Sequence, residues 1–107
     1  MSLRTRPLPM SPETVEGLMD LGRAIRDARL ARKLRHADLA SRAGISVATL
    51  KRLERGDPTL AVGRFLEVLT ALSSSLLADL VETVRADPTG DALRRKAMGE
   101  RSRREDF

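Results

Sequence analysis

Between His36 and Gly56 the chain is punctuated more tightly than anywhere else, and this limits what it can fold into. His36–Ala43 has room for about two helical turns, with Leu39, Ala40 and Ala43 sharing one face. Gly44 follows, the residue type that ends a helix in the left-handed conformation without a side-chain clash. Ser46 supplies an N-cap hydroxyl for a second short helix, Val47–Arg55, which turns Leu50 and Leu53 inward and closes at Gly56. The reversal therefore falls within Ala43-Gly44-Ile45-Ser46, where Ile45 plugs the angle between the helices.

The flanks are helical too. Ser11 before Pro12 and Glu13 is a helix start: cap, proline at the first position, acid in the first turn. Leu18, Leu21, Ile25 and Ala28 recur at helical spacing toward an end near Lys33, and Gly17 divides a short lead-in from the main helix. Thr59 is read as the cap of a helix running to Leu72, with Val62, Phe65, Leu66 and Leu69 inward. After the break at Ser73–Ser75, a fifth helix carries the stripe Leu76, Leu77, Leu80, Val81 and Val84, read as core and dimer surface together. Asp87-Pro88-Thr89-Gly90 is read as a turn. No strand-like alternation and no internal repeat occurs, so the fold class is all-α. The expected organisation is a flexible arm over residues 1–10, a five-helix domain over 11–86 and a charged, flexible tail over 87–107.

Composition narrows the function. The 107 residues contain no cysteine and no tryptophan or tyrosine, and the aromatics are Phe65 and Phe107. The core is thus small and aliphatic, and disulfide scaffolds and cysteine-ligated metals are excluded. No apolar run approaches a membrane span or a signal peptide, which gives an expectation of a cytoplasmic protein. An enzyme is not expected: there is no histidine pair, phosphate-cradling glycine loop or buried carboxylate pair, and neither a cofactor nor a metal is implied. His36, the single histidine, lacks metal-ligating partners.

The net charge of +5 is uneven. Residues 22–56 carry ten basic against three acidic side chains, whereas residues 57–90 carry two against five. A basic stripe of this kind points to a polyanion. Two short helices joined by a glycine turn form a helix-turn-helix unit, whose second helix can enter a DNA major groove about 12 Å wide. Without aromatics in the basic region, stacking on single strands or RNA loops has no platform. Arg23, Arg26 and Arg32 are read as a solvated helix face.

Residues 21–60 resemble the Xre-type helix-turn-helix family of phage Cro and repressor proteins, through Leu39-Ala40, Gly44-Ile45-Ser46 and Glu54-Arg55-Gly56. The resemblance implies a repressor-like fold and a homodimer on double-stranded DNA. It places Val47, Ala48 and Arg52 against base edges with Lys51 beside them, and Ser46, His36 and Arg55 at phosphates. It also implies a structural pair between Arg29 and Glu54. Two departures stand out: Arg35 and His36 replace the usual hydroxyl residue and glutamine that open the second helix, and Arg35 is read as a compensating phosphate contact. Val47 and Ala48 can touch thymine methyls, which leaves Arg52 as the guanine reader. The resemblance also extends to antitoxins of Hip-type toxin kinases, in which residues 86–107 would hold a cognate toxin.

Overall fold

The computed structural model describes residues 9–105, with side chains as far as Arg101; most of the expected N-terminal arm and Phe107 lie outside these residues. All described regular structure is helical: α1 (Pro12–Ala31), α2 (His36–Ala43), α3 (Val47–Glu54), α4 (Val62–Leu72), α5 (Ser74–Arg85) and α6 (Pro88–Glu105). The chain divides into two compact units, residues 1–74 and 75–107.

In the first unit, α1 starts as its sequence requires. The Ser11 hydroxyl accepts from the Thr14 amide at 3.2 Å, with Pro12 in the first turn. Gly17 does not divide the helix, because one exposed glycine costs only about 0.5–1 kcal/mol and the packing of a twenty-residue helix outweighs it. The helix ends at Ala31, two residues before Lys33, which adopts a left-handed φ of 55°. That turn directs the Leu34 amide back to the Arg29 carbonyl at 3.1 Å.

The packed interior is aliphatic. Ile25 of α1, Leu39, Ala40 and Ala43 of α2, Leu50 and Leu53 of α3, and Val68, Leu69 and Leu72 of α4 are buried. The alanines keep α2 slim where it packs on both α3 and α4, and α1 packs on α3 and α4.

Two inward assignments and one cap are corrected. Leu21 is 40% exposed, since α1 is turned so that Gly22, Ile25 and Arg29 face the interior. Neither glycine nor arginine registers in an apolar pattern, so the stripe read from Leu18, Leu21, Ile25 and Ala28 keeps the buried Ile25 but misses Gly22 and Arg29 beside Leu21 and Ala28. Val62, the first residue of α4, is 73% exposed, and that helix buries Val68, Leu69 and Leu72. Thr59 caps nothing: the N-cap of α4 is Ala61, while Thr59 gives its amide (2.9 Å) and hydroxyl (2.7 Å) to Asp57. An aspartate two residues upstream competes for the same groups, and here it wins.

Gly22 explains how closely α1 and α3 approach. A Cβ there would overlap the Glu54 carbonyl oxygen and sit 2.8 Å from that of Leu53.

In the second unit, α5 has no buried residue; Leu76 and Leu77 are half-buried, and Leu80, Val81 and Val84 are exposed. The stripe is amphipathic as expected, but it is not core. The five-helix count is corrected to six described helices. Residues read as a turn and tail form α6, with Pro88 as its first residue and the Asp91 amide bonded to the Asp87 carbonyl at 2.9 Å. Aspartate followed by proline starts a helix as readily as a turn.

These contacts separate two glycines of one helix. Gly22→Ala is expected to destabilise the protein by about 1–3 kcal/mol through overpacking. Gly17→Ala, whose Cβ meets nothing within 4 Å, should instead stabilise it by about 0.5–1 kcal/mol. Urea unfolding of both variants checks this, and similar effects at the two sites would contradict the close approach of α1 to α3.

Candidate nucleic-acid interface

The joint between α2 and α3 is built as a tight reversal. Gly44 has φ 67°, and its neighbour Ile45, half-buried, donates its amide to the Ala40 carbonyl at 3.0 Å. Ser46 then caps α3: its oxygen accepts from the Thr49 amide at 3.0 Å and its hydroxyl donates to Thr49 Oγ1 at 2.9 Å. The Ser46 hydroxyl, expected at a phosphate, is thereby engaged within the protein.

Beneath α3 lies a buried charged centre. Arg29 reaches Glu54 with two parallel bonds, Nε to Oε2 at 2.8 Å and Nη2 to Oε1 at 3.1 Å, and both side chains are only 5% exposed. Its remaining nitrogen, Nη1, donates to the Leu34 carbonyl at 3.0 Å, the group presented by the turn at Lys33. His36 closes the cluster, with Nε2 3.0 Å from both Glu54 Oε1 and Arg29 Nη2. As an N–H donor it serves Glu54, since arginine can only donate. Burial alone would push the Glu54 carboxyl upward, but the bonds from Arg29 and His36 outweigh it and hold the group below its ordinary 4.5. The expected Arg29–Glu54 pair is therefore formed. His36, read as a phosphate contact, is committed on one ring nitrogen to this pair.

The second departure, Arg35, is also resolved. Asp38 takes over the capping of α2, accepting from the Arg35 amide at 2.9 Å and from its guanidinium at 3.2 Å. The side-chain bond from Arg35 lowers the Asp38 carboxyl from its ordinary value. The hydroxyl cap itself is absent, since a guanidinium cannot accept; what remains is the reciprocal half of a capping box, the third helical residue accepting from the N-cap amide.

The outer face of α3 carries Ala48, Lys51 and Arg52 exposed, with Val47 half-buried at its start; the helix ends at Glu54, one residue earlier than expected, and exposed Arg55 is its C-cap. Arg52 is oriented by the following loop: Nε donates to Asp57 at 2.7 Å and Nη2 to Thr59 Oγ1 at 2.9 Å. Asp57, gathered around by the Thr59 hydroxyl and amide and by Arg52, is lowered to about 2. Three of the five guanidinium N–H groups remain available, including both on Nη1. This clip was not legible, because Thr59 read as a cap. Lys51 and Arg55, four residues apart, line a recess with Arg26, His36 and Glu54. Arg26, read as part of a solvated face, thus joins the site. Among the described residues no cluster of three potential ligands could hold a metal, and no helix is long and apolar enough to cross a membrane.

Comparison with known proteins agrees with this geometry. Residues 20–96 match the helix-turn-helix domain family. The chain belongs to that family. It is also 37% identical over 57 residues to the uncharacterized HTH-type transcriptional regulator y4mF of Sinorhizobium fredii (strain NBRC 101917 / NGR234), an alignment covering 53% of this chain and 75% of the relative.

Glu54→Ala strands a buried arginine and is expected to cost about 3–5 kcal/mol, a fall in Tm of more than about 10 °C. Protonation acts on the same bonds. The folded Glu54 carboxyl lies below its unfolded value, so its contribution is complete above about pH 5 and is lost as pH falls through the folded value. Thermal melts from pH 7 to pH 3 should be flat at first and then fall, and the fall should be smaller in Glu54→Gln. A Tm unchanged by Glu54→Ala would contradict the buried pair.

Proposed function

We propose that this protein is a sequence-specific double-stranded DNA-binding transcriptional regulator, acting as a homodimeric repressor of the Xre type on a palindromic operator. The observation that carries the reading is the outer face of α3, capped by Ser46, anchored from behind by Arg29–Glu54 and left exposed at Ala48, Lys51, Arg52 and Arg55. A short helix held from one side and basic on the other suits insertion into a major groove. Val47 and Ala48 meet thymine methyls, and Arg52, oriented by Asp57 and Thr59, reads guanine. Arg35, His36, Ser46 and Arg55 border the backbone; Ser46 does so with its own amide, its hydroxyl being used in the cap. The exposed stripe of α5, Leu80, Val81 and Val84, is the dimer surface, so half-sites fall about one helical turn apart.

Selection of a bound sequence from a random duplex pool, followed by binding titrations, tests this. Arg52→Ala should relax preference at one base pair per half-site at a cost of about 1–3 kcal/mol, whereas Arg55→Ala should weaken all sequences alike. Equal losses on selected and random DNA for Arg52→Ala would remove it as the base reader.

A second reading rests on α6. Leu93 and Met98 are 61% and 68% exposed on a helix otherwise dominated by charge, in the unit separate from the helix-turn-helix. In an antitoxin these residues would hold a toxin, and the protein would repress its own operon. A chain ending at Asp87 should then keep operator binding and lose co-purification with the product of the adjacent gene. Retained co-purification by the shortened chain would contradict that use of α6.

A further inference from the structure

Four arginines of the helix-turn-helix unit are answered by acids. Arg29 is neutralised by Glu54, Arg35 by Asp38, Arg52 by Asp57 and Arg23 by Asp20. Among the described residues the side chains of Arg26, Lys51 and Arg55 have no hydrogen-bonding or ion-pair partner, and unlike the other basic side chains so placed these three converge on one recess between α1, α2 and α3. The only carboxylate in its lining, Glu54, is already saturated by Arg29 and His36. Three cations are thus gathered around a concavity that contains no free negative charge. Their mutual repulsion is relieved by an anion seated among them.

We propose that this recess seats one phosphodiester of duplex DNA, with Arg26 of α1, Lys51 of α3 and Arg55, which caps the C-terminal end of α3, as its cationic wall. The proposal rests on the DNA-binding reading and deepens it in two respects. Arg26 becomes a backbone contact rather than a solvated residue. Lys51 becomes a backbone contact rather than a neighbour of the base-reading group: it is four residues from Arg55 and shares its recess, whereas Arg52, one residue on, is drawn to Asp57 and Thr59. The ligand is a phosphate oxyanion, and a duplex is favoured over a free phosphate because the recess adjoins the exposed face of α3, and α3 with its C-cap contributes two of its cations. A wall of two arginines and a lysine without hydrogen-bonding neutral side chains of its own other than His36 recognises charge, not sequence.

The test uses the full chain and a random 30-base-pair duplex, with affinity measured by fluorescence anisotropy across a salt series. Each phosphate contact contributes about 0.9 to the slope of log affinity against log salt. Arg26→Gln should lower that slope by about 0.9 per protomer, Arg26→Lys should restore most of it, and Arg23→Gln, already paired on the same helix, should leave it unchanged. Lys51→Gln should lower the slope without altering base preference on a selected sequence. A slope in Arg26→Gln equal to that of the unmodified protein, at equal Tm, overturns the seat while leaving DNA binding intact. Absence of duplex binding by the unmodified protein at low salt would instead remove the DNA-binding reading itself. A separate titration with inorganic phosphate at constant ionic strength identifies the source. A rise in Tm that depends on Arg26, together with a duplex slope that does not, would assign the recess to a free phosphate and overturn the proposal.

Discussion

The two parallel bonds between Arg29 and Glu54 hold the helix-turn-helix unit in its orientation. Removing both charges from water is costly, and the cost is offset only where every donor and lone pair finds a partner. Here no buried side-chain nitrogen or oxygen among the described residues is left without a partner: Glu54 accepts from Arg29 and His36, and the remaining arm of Arg29 reaches the Leu34 carbonyl. Each partner lies on a different piece of chain. The C-terminal end of α3, the turn after α1 and the first residue of α2 are thereby fixed to one point. An acid at a helix C-terminus is unfavourable on its own, because the helix dipole places negative charge there; Arg29 reverses that sign.

The backbone is shaped to allow this. Gly22 brings α1 against the end of α3, and the left-handed Lys33 turns the Leu34 carbonyl toward Arg29. Aliphatic packing through Leu39, Leu50 and Val68 then fills the space behind the charged centre. With α3 held from its inner side, its outer side is free to be basic. The loop at Asp57 and Thr59 aims Arg52, and the recess collects three cations that no carboxylate answers.

Much of this was legible from residue types and spacing. The bounds of α2, the left-handed Gly44, the Ser46 cap and the inward Leu50 and Leu53 follow from local preferences that tertiary structure had no reason to override. The pairing of Arg29 with Glu54 is implied by family resemblance and its burial is not, since nothing in the pattern of α1 distinguishes Arg29 from Arg26 or Arg32. The remaining errors share a cause. Leu21 and Val62 were placed by apolar periodicity, but the inner face of α1 is set by a glycine and an arginine, and α4 begins before its buried stretch. Thr59 and Arg35 were read by their own preferences, while Asp57 and Asp38 beside them decided their bonding. Helix α6 is not legible in the sequence, because a charged helix has no apolar stripe to show its period.

A double-mutant cycle on Arg29 and Glu54 measures the central interaction most directly. Urea unfolding of Arg29→Met, Glu54→Gln and the double variant isolates their coupling from the burial of each side chain alone. A buried, bidentate pair predicts a coupling of at least about 1 kcal/mol, with the double variant more stable than the sum of the single losses allows. Losses that add to within about 0.3–0.5 kcal/mol would show that the two residues do not support one another, and would contradict the account of how α3 is held.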